Sequence, residues 1–583
     1  MIYKDVALTV LGFSLSEFNY SEIEFEVAKS NEISSVWINK DSSFGINNFI
    51  NREEQYQYFE NEFAYVIERN NCFSSLTFDS SDTRTLKGER YGGRGIGSNA
   101  GGVRCGNSDS YQIKGIGTNA LVGIGEHSSH SYGGMDLHDA IVETIYSNIL
   151  DLILPIGAVK IIGLLYTGDN TANRNNIECP GALMVREKCL RPAHFIQAPN
   201  FSRESSKSAD LYSDIFRART ANRQLKLLFK EDKNYILFLS RFLSKCAQQF
   251  AFCKLYGIGH RSISPSNISL DGRWLDTPLS CFVGPNVNYL ANTPLKFEFQ
   301  SPVIIVEELL YAYSKFNQCQ LNFKPLFSYY FEQFNEYQKF YVNELLGFPP
   351  LNEDADSDES WKVIVKTILD NLANNTSFLT EKNQIPYSSD IQELVYGLYL
   401  SFTNKKLAME HFECQLNYSE LSAESLIDAF HNSVKFRFSK PSQHESLALF
   451  VKFSGILAMK KLTQLKFFHL SNSIEQTVDN LCKHNNLSGV SDTIDSYTQS
   501  AEWIFEVKPA ANLTLFKNDT TEIIYISKLG NLVLTNNGVS SNLELRNFKK
   551  WLTDTEIEFV LHQYCFKQSL LTLAQLFEEN INV

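Results

Sequence analysis

The sequence lacks the features that mark several broad classes of protein. It has eleven cysteines in 583 residues but no CxxC pair and no Cys/His cluster at zinc spacing, which argues against a zinc site. In a chain of this length we interpret the cysteines as reduced thiols of a cytoplasmic protein. A net charge of −13 argues against general affinity for nucleic acid, because that affinity needs a basic surface.

Long apolar runs and targeting signals are missing as well. The most apolar run, residues 148–168, is interrupted by Asp151, Pro155 and Lys160. We therefore predict a buried helix end followed by a core strand, and no membrane span. The first residues, MIYKDVALTVLGFSLSEF, have no small-residue cleavage site and are expected to form a strand. With 43% hydrophobic and 20% charged residues, the chain is predicted to be soluble, with about two to four domains.

A glycine-rich segment, ERYGGRGIGSNAGGVRCG, begins at Glu89. Glycines let backbone N–H groups come close to a polyphosphate, and arginine binds its oxygens with two donors. An ordinary flexible turn is the alternative for such a segment. The candidate phosphate-binding residues here are Gly97, Gly101, Gly102 and Arg104.

The next two segments carry a lysine and a glutamate. YQIKGIG, residues 111–117, is predicted to be a short strand that contains Lys114. MDLHDAIVETIYSNILDLIL, residues 135–154, has the periodicity of an amphipathic helix and contains Glu143. A helical glutamate that follows a strand lysine suits an ion pair that positions the lysine on phosphates. A solvated helix carboxylate is the alternative for Glu143.

Two histidines, His127 and His130, lie between these segments in VGIGEHSSHSYGG. They suggest a metal site, but the sequence supplies no third ligand nearby, so a polar loop is the preferred interpretation.

Two strands and two long helices are predicted next. The strands are IGAVKIIGLLYTGD and GALMVREKCLRPAHF, joined by a polar loop over residues 168–180. Arg186 and Arg191 belong to the second of these segments and are candidate phosphate-binding residues. The helices are predicted between residues 208 and 256.

The segment from Gly257 to Pro278, GIGHRSISPSNISLDGRWLDTP, contains the strongest chemical signal. It is predicted to be a helix end, a polar loop and a strand-turn-strand. Asn267 and Asp276 flank the turn, where their oxygens could bind one Mg²⁺. The loop also has the frame of the kinase catalytic loop, H-R-D-x-x-x-x-N, with Ser262 in place of the aspartate.

The order of these elements predicts an α+β, protein-kinase-like bilobal fold. It runs from a glycine-rich loop through the strand lysine, the helix glutamate and the loop asparagine to the aspartate. We predict an N-terminal subdomain over residues 1–85 and a nucleotide-binding lobe over 86–200. A second lobe is predicted over 201–350, and a mostly helical region with a late hairpin over 351–583.

Within that fold the chain resembles the selenoprotein O family over about a third of its length. YQIKGIGTN looks like the LKGxGxTPYSR strand of the family, and AIVETIYSNIL looks like its SxREFLxSEAM helix. GALMVREKCLRPAHF resembles its GAxLxRxAxSHxRFGxFE segment. GHRSISPSNISLDGRWLDTP is similar to its HGxMNTDNMSxxGxTIDYGP run.

The resemblance implies an enzyme that binds ATP in an inverted orientation and transfers AMP to protein hydroxyls. It makes Lys114 and Glu143 the pair that holds the phosphates. It makes Asn267 and Asp276 the Mg²⁺ ligands, and it places Arg186 on a phosphate. ATP and Mg²⁺ are the implied cofactors, and a protein or peptide is the implied acceptor.

The chain also departs from the pattern of the family. The position of the arginine in the family's GDGRG motif corresponds to about Gly101 in this chain, which has no arginine there. Arg94 or Arg104 would have to replace it. The arginine of the SHxR motif has only Arg191 close to its place. The aspartate before the metal-binding asparagine is Ser266 here, and the C-terminal Cys/Sec tail is missing.

Neither position for a catalytic base carries a carboxylate, since one is Ser262 and the other is Ser266. A hydroxyl acceptor benefits from a base, whereas a carboxylate acceptor is already ionised at neutral pH. We therefore expect activation of a carboxyl group, such as a peptide C-terminus, as an acyl-adenylate for a partner acyltransferase. Maturation proteins of the MchC type, from siderophore-peptide microcin clusters, are similar in length. The alternatives are phosphoryl transfer and a kinase-fold pseudoenzyme that binds nucleotide or a partner as a scaffold.

Overall fold

The structure is a computed structural model of a mixed α and β protein with one large antiparallel sheet. The α+β class is therefore confirmed, and the kinase-like arrangement stays a prediction. The structure describes residues 22–42, 49, 51–108, 110–124, 132–202, 214–282, 298–348, 358–374, 390–415, 422–438, 447–464, 467, 471–505, 512–562 and 564–578.

Within the described residues the large sheet has nine strands in the order β2-β8-β9-β6-β5-β4-β1-β3, with β7 paired to β9. All neighbours in it are antiparallel. β4 runs across the boundary predicted after residue 85, so strands from both sides of that boundary pair in one sheet. The strands are β1 (Glu22–Lys29), β2 (Ser34–Ile38), β3 (Tyr65–Val66), β4 (Asp79–Glu89), β5 (Cys105–Ser108), β6 (Tyr111–Lys114), β7 (Met135–Asp136), β8 (Ile161–Arg174) and β9 (Ile177–Glu187).

The hairpin between β8 and β9 corrects the polar loop predicted over residues 168–180. The two strands continue through that segment and pair as far as Arg174 and Ile177. Asn175 and Asn176 form the turn, with φ angles of 55° and 66° that suit a two-residue type I′ turn. Asparagine tolerates left-handed φ, so these polar residues build a tight hairpin and not an open loop.

Side chains alternate between the two faces of the sheet, as the pleat requires. Along β9, Ala182 and Met184 join the large core that extends into the C-terminal region. Leu183 and Val185 point to the other face and join a smaller core, which is closed by Phe59 and other residues around the first helix. The sheet therefore carries a buried apolar layer on each face.

Fifteen α-helices lie in the described part of the chain. They are α1 (Arg52–Phe63), α2 (Leu137–Ile153), α3 (Ile215–Phe229), α4 (Asp232–Tyr256), α5 (Ser301–Asn317), α6 (Lys324–Leu345), α7 (Glu359–Asn374), α8 (Asp390–Leu400), α9 (Lys405–Gln415), α10 (Ala423–Phe438), α11 (Leu447–Gln464), α12 (Ser471–Lys483), α13 (Ser488–Phe505), α14 (Phe548–Asp554) and α15 (Lys567–Gln575). None of these described helices combines the length and the apolar character that crossing a bilayer requires.

Helix α2 is less amphipathic than the sequence predicts. Asp136 caps its first turn by accepting a hydrogen bond from the His138 N–H. The helix is then buried on nearly every side, because β8 and β9 cover one face while α12 and α13 cover another. The C-terminal region thus packs directly on the helix that carries Glu143.

The hairpin predicted late in the C-terminal region belongs to a small sheet. The predicted hairpin corresponds to β13 and β14, which pair from Thr521 to Ile526. One further strand pairs on each side, which gives a four-stranded antiparallel sheet in chain order. Its strands are β12 (Asn512–Lys517), β13 (Thr521–Ile526), β14 (Asn531–Asn536) and β15 (Val539–Glu544). The short pairs β10 (Ile258–Gly259) with β11 (Cys281–Phe282) and β16 (Val560–Leu561) with β17 (Tyr564–Cys565) complete the described strands.

Candidate functional site

A buried ion pair joins the sheet to helix α2. Lys114 is the last residue of β6, where it pairs with Met184 of β9, and its Nζ lies 2.9 Å from Glu143 Oε2. The two side chains are 10% and 3% exposed. Glu143 is therefore part of a buried pair, and the alternative of a solvated helix carboxylate is wrong.

Asp276 lies on the open side of this pair, with a side chain that is 24% exposed. Its Oδ1 atom is 2.8 Å from Lys114 Nζ and 2.9 Å from an Arg186 guanidinium nitrogen. Burial by itself would raise the pKa of Asp276, but Arg186, Lys114 and Arg191 outweigh it and hold the pKa well below its usual range. Asp276 is therefore a carboxylate near neutral pH, placed at the mouth of a cationic group of side chains.

Gln112 orients the two arginines. It lies two residues before Lys114 in β6 and so shares its strand face. Its Oε1 atom accepts hydrogen bonds from Arg186 Nε at 2.9 Å and from Arg191 at 2.9 Å. Arg191 also donates to the Ser266 carbonyl at 3.2 Å. Arg191 therefore lies 4.0 Å from the Asp276 carboxylate, and it links the sheet to the loop after α4.

Behind the arginines lies a second buried carboxylate, Glu89. It accepts hydrogen bonds from Asn107 at 3.0 Å and from Gln112 at 2.9 Å, and it lies 3.6 Å from both Arg191 and His194. Burial favours a higher pKa for Glu89, but the hydrogen bond from His194 and the charge of Arg191 lower the pKa strongly. Gln112 and Glu89 are residues that the sequence analysis does not identify.

The loop after α4 brings Asn267 beside Asp276. The Leu275 N–H donates to the Asn267 carbonyl at 3.2 Å, which holds the two sides of the turn together. The Asn267 amide nitrogen donates to the Ser262 carbonyl at 2.8 Å, and its Oδ1 atom accepts from Ser266 Oγ at 3.1 Å. The amide oxygen of Asn267 is thus oriented by serines of its own loop.

The two sides of this turn do not form the predicted strand-turn-strand. Only one antiparallel bridge forms, between Ile268 and Trp274. The Ser269 N–H donates to the Arg273 carbonyl at 2.9 Å beside this bridge, and the extended segment then ends at Asp276, whose φ of 55° is left-handed. On its other side, the Trp274 N–H donates to the Gly157 carbonyl at 3.2 Å, and the Trp274 carbonyl accepts from the Val159 N–H at 2.7 Å. The turn is therefore also fixed to the backbone just before β8.

His260 lies under the loop, fully buried. Its Nε2 atom donates to the Leu275 carbonyl at 2.9 Å, and its Nδ1 atom faces Ser262 Oγ at 3.1 Å. Burial lowers the pKa of His260 to about 4, so the ring is neutral at pH 7. The position of a catalytic carboxylate is thus taken by a hydroxyl that faces a neutral imidazole.

The glycine-rich segment forms the connection between β4 and β5. Gly101 has φ 126° and bridges to Arg90, and a Cβ atom on Gly101 would lie 2.2 Å from the Glu89 carbonyl. Gly97 is also left-handed, and Gly102 donates its N–H to the same Glu89 carbonyl at 2.9 Å. These glycines therefore allow a tight backbone path.

The arginines of this segment have partners away from Asp276. Arg104 donates to the Gly134 carbonyl at 3.2 Å, and Arg94 pairs with Glu308 of α5 at 2.8 Å. The structure therefore brings Arg186 and Arg191 to the Asp276 group, whereas Arg104 binds next to β7. His127 and His130 lie outside the described residues. Among the residues that are described, no group of three or more His, Cys, Asp or Glu side chains could hold a metal ion.

No protein-family model matches this chain, and no curated protein matches it either. The site must therefore be judged by its own chemistry. A carboxylate and an amide oxygen, from Asp276 and Asn267, are the kind of ligands that Mg²⁺ takes beside a nucleotide. Lys114, Arg186 and Arg191 bring three positive side chains within 4.0 Å of the Asp276 carboxylate, and such side chains suit a polyphosphate. Arg191 Nε is buried and makes no hydrogen bond within the described residues, so one donor is left over. This donor set fits Mg²⁺ and a polyphosphate.

Proposed function

We propose that this chain binds Mg²⁺ and ATP at the Lys114–Asp276 group and transfers AMP to a protein or peptide acceptor. The observation that carries the proposal is the position of Lys114 Nζ, which contacts Glu143 in α2 and also Asp276, 162 residues further along the chain. A lysine held between these two carboxylates is oriented towards one place, where a phosphate can take over one of its contacts.

The chain order of these residues supports a protein-kinase-like fold of the selenoprotein O type. The lysine ends a strand, the glutamate lies in the helix that packs on the same sheet, and the asparagine and aspartate follow a long helix. In kinases this order gives a phosphate-binding lysine, its glutamate partner and two Mg²⁺ ligands. The proposed roles of Lys114, Glu143, Asn267 and Asp276 follow that pattern.

Each residue would then have one task. Asp276 and Asn267 would hold Mg²⁺, which supplies charge neutralisation to the phosphates when it is bound. Lys114, Arg186 and Arg191 would bind phosphate oxygens, and these charge-assisted contacts favour the departure of pyrophosphate. The backbone of Gly97, Gly101 and Gly102 is proposed to cover the nucleotide, and Arg104 is the further phosphate-binding candidate of that segment.

The proposed acceptor is a carboxylate, such as a peptide C-terminus. Ser262 and Ser266 stand where a base would be, and the imidazole beside Ser262 is buried with a lowered pKa. A carboxylate needs no deprotonation at neutral pH. One of its oxygens attacks the α-phosphorus, and the bond from that phosphorus to the bridging oxygen breaks. Pyrophosphate leaves, and the product is an acyl-adenylate for a partner acyltransferase.

The second candidate is a pseudoenzyme that binds nucleotide without turnover. It is favoured by the two serines and by the contacts of Asp276, which is already bound by Lys114 and Arg186. Phosphoryl transfer is the third candidate. The nucleotide products separate the three, because AMP transfer releases pyrophosphate, phosphoryl transfer releases ADP, and a pseudoenzyme releases neither.

The experiment uses the full chain with Mg²⁺, ATP and a peptide library in two forms, with free and with amidated C-termini. We expect pyrophosphate and a peptidyl-adenylate only with the free C-termini, with AMP appearing as water hydrolyses that adenylate, and loss of these products in Asp276→Asn. The matched control is Asp271→Asn, because Asp271 lies in the same turn with a similarly exposed side chain but pairs with Arg273. Equal turnover of amidated peptides would exclude the carboxylate acceptor, and ADP as the product would exclude AMP transfer.

A further inference from the structure

A buried carboxylate lies beneath the loop that carries the candidate site. Glu298 begins the short helical turn before α5 and is buried. Its Oε2 atom accepts the His260 N–H at 3.0 Å, and its Oε1 atom accepts the Arg261 N–H at 2.6 Å. Both carboxylate oxygens are thus used by consecutive backbone N–H groups of the loop.

The loop has a conformation that needs such support. Arg261 has φ 67°, a left-handed value that strains a residue with a side chain. Hydrogen bonds to a charged acceptor are stronger than those to a neutral one, and the two N–H groups at this bend both donate to the Glu298 carboxylate. The Glu298 carboxylate therefore stabilises the bend from below.

The bend is connected to both proposed metal-binding residues. His260 donates through its ring to the Leu275 carbonyl, the residue before Asp276. Ser262, which follows Arg261, accepts the side-chain hydrogen bond of Asn267 through its carbonyl. One buried carboxylate is thus linked, through the same short piece of backbone, to both sides of the turn.

We infer that Glu298 is a positioning residue whose ionised carboxylate holds the loop in the form that binds Mg·nucleotide, so that proton uptake by Glu298 weakens binding. This inference rests on the proposed function. A neutral carboxyl group would have one oxygen occupied by its proton and would offer weaker acceptors to the two N–H groups. The loop would then lose the contacts that fix Asn267 and Asp276.

The surroundings of Glu298 favour titration near neutral pH. Burial raises the pKa of Glu298 to about 7, and the two N–H groups and the charge of Arg261 offset burial only in part. The other titratable groups that face it within the described residues keep one state between pH 6 and 8. Burial lowers the pKa of His260 to about 4, and it raises the pKa of the Cys253 and Cys281 thiols.

Stability and binding should respond to pH in opposite directions. A carboxyl group whose folded pKa is raised from 4.5 to about 7 stabilises the fold most at low pH, and that contribution is lost as the pH rises through 7. Binding instead needs the carboxylate, so affinity rises over the same interval. If Glu298 had only a structural role, its titration would change the stability and not the affinity for Mg·ATP.

The test measures the affinity for Mg·ATP and the Tm at pH 6, 7 and 8 in the wild type, Glu298→Gln and Glu307→Gln. Glu307 is an exposed glutamate of α5 and serves as the control. We expect wild-type affinity to be about tenfold weaker at pH 6 than at pH 8, as replacing charge-assisted by neutral hydrogen bonds implies. Glu298→Gln should bind Mg·ATP weakly at each pH, because its amide oxygen can replace only one of the two carboxylate oxygens that accept hydrogen bonds from the loop. Protonation of ATP itself affects all three proteins equally, so the comparison between them removes it.

Three outcomes would overturn the inference. They are equal wild-type affinity at pH 6 and 8, the same pH profile in Glu298→Gln as in the wild type, and a matching profile shift in Glu307→Gln. If Glu298→Gln does not fold, amide hydrogen exchange of residues 258–276 in the ligand-free wild type at pH 6 and 8 decides, because it does not depend on the protonation of ATP. Exchange must be faster at pH 6 after correction for the intrinsic rate. Absence of Mg·ATP binding at every pH, with exchange that does respond to pH, would reject the proposed function and leave the loop linkage intact.

Discussion

Replacing Asp276 by Asn should destabilise the fold even though the side chain changes little in size. Asp276 contacts Lys114 and Arg186, which are only 10% and 3% exposed. Removing one partner of a buried ion pair costs about 3–5 kcal/mol, because the remaining charge stays buried. Asp276 is itself 24% exposed, so we expect the lower end, about 3 kcal/mol. Asp271→Asn should cost about 1 kcal/mol or less, since its partner Arg273 is 25% exposed.

The pH dependence gives this prediction a second check. The pKa of Asp276 lies well below its usual 3.8, because Arg186 and Lys114 outweigh the effect of burial. A lowered pKa gives stability that is present above pH 3.8 and is lost as the pH falls towards the folded pKa. The difference in Tm between wild type and Asp276→Asn should therefore be constant from pH 5 to 8 and should shrink below about pH 4. Differential scanning calorimetry measures both effects. Equal Tm values for the Asp276 and Asp271 variants at pH 7 would refute the reasoning.

Two further substitutions test how the site is built, each by thermal and denaturant unfolding. Gly101→Ala should lower the free energy of unfolding by about 3 kcal/mol or more, because Gly101 has φ 126° and the new Cβ would lie 2.2 Å from a backbone carbonyl. Its control, Gly538→Ala, should lower it by only about 1 kcal/mol, because Gly538 has φ 79° and open space around it. Equal losses would contradict this account of the glycine-rich turn. Asp495→Ala should cost about 1–2 kcal/mol because it leaves the buried indole N–H of Trp37 without its acceptor at 3.0 Å, while Lys40→Ala should change stability by less than about 0.5 kcal/mol. A larger effect at Lys40 would show that the charge and not the indole bond joins α13 to β2.

The contact between Lys114 and Glu143 could be anticipated because each residue has a place in a recognisable order of elements, whereas the direct contact of Lys114 with Asp276 was not predicted. A short alternating run gives the strand, a periodic run gives the helix, and the histidine-arginine-asparagine frame marks the loop. The functional roles of these residues stay predictions. The sequence also pointed to Arg186 and Arg191, but it could not place Arg104, whose partner is a backbone carbonyl next to β7.

The residues that orient the site could not be identified in the same way. Gln112 is a single polar residue in a strand, and only its spacing of two from Lys114 hints that it shares the same face. Glu298 is 38 residues from His260, and backbone N–H groups as its partners leave no trace in the side-chain pattern. The β8–β9 hairpin was missed for a different reason. The polar composition of residues 168–180 suggested a loop, although Asn175 and Asn176 are residues that favour a tight hairpin turn.

Under the proposed function, the charges of the site would couple the binding of Mg²⁺ to that of the nucleotide. Without ligand, three positive side chains balance three carboxylates. The positive side chains are those of Lys114, Arg186 and Arg191, and the carboxylates are those of Glu89, Glu143 and Asp276. Free Mg²⁺ would have to compete with Lys114 and Arg186 for the single carboxylate of Asp276. A bound polyphosphate would offer those two cations other oxygens and would so release Asp276 towards the metal. On the proposed function, each ligand would therefore favour binding of the other, which is a positive coupling between their binding free energies.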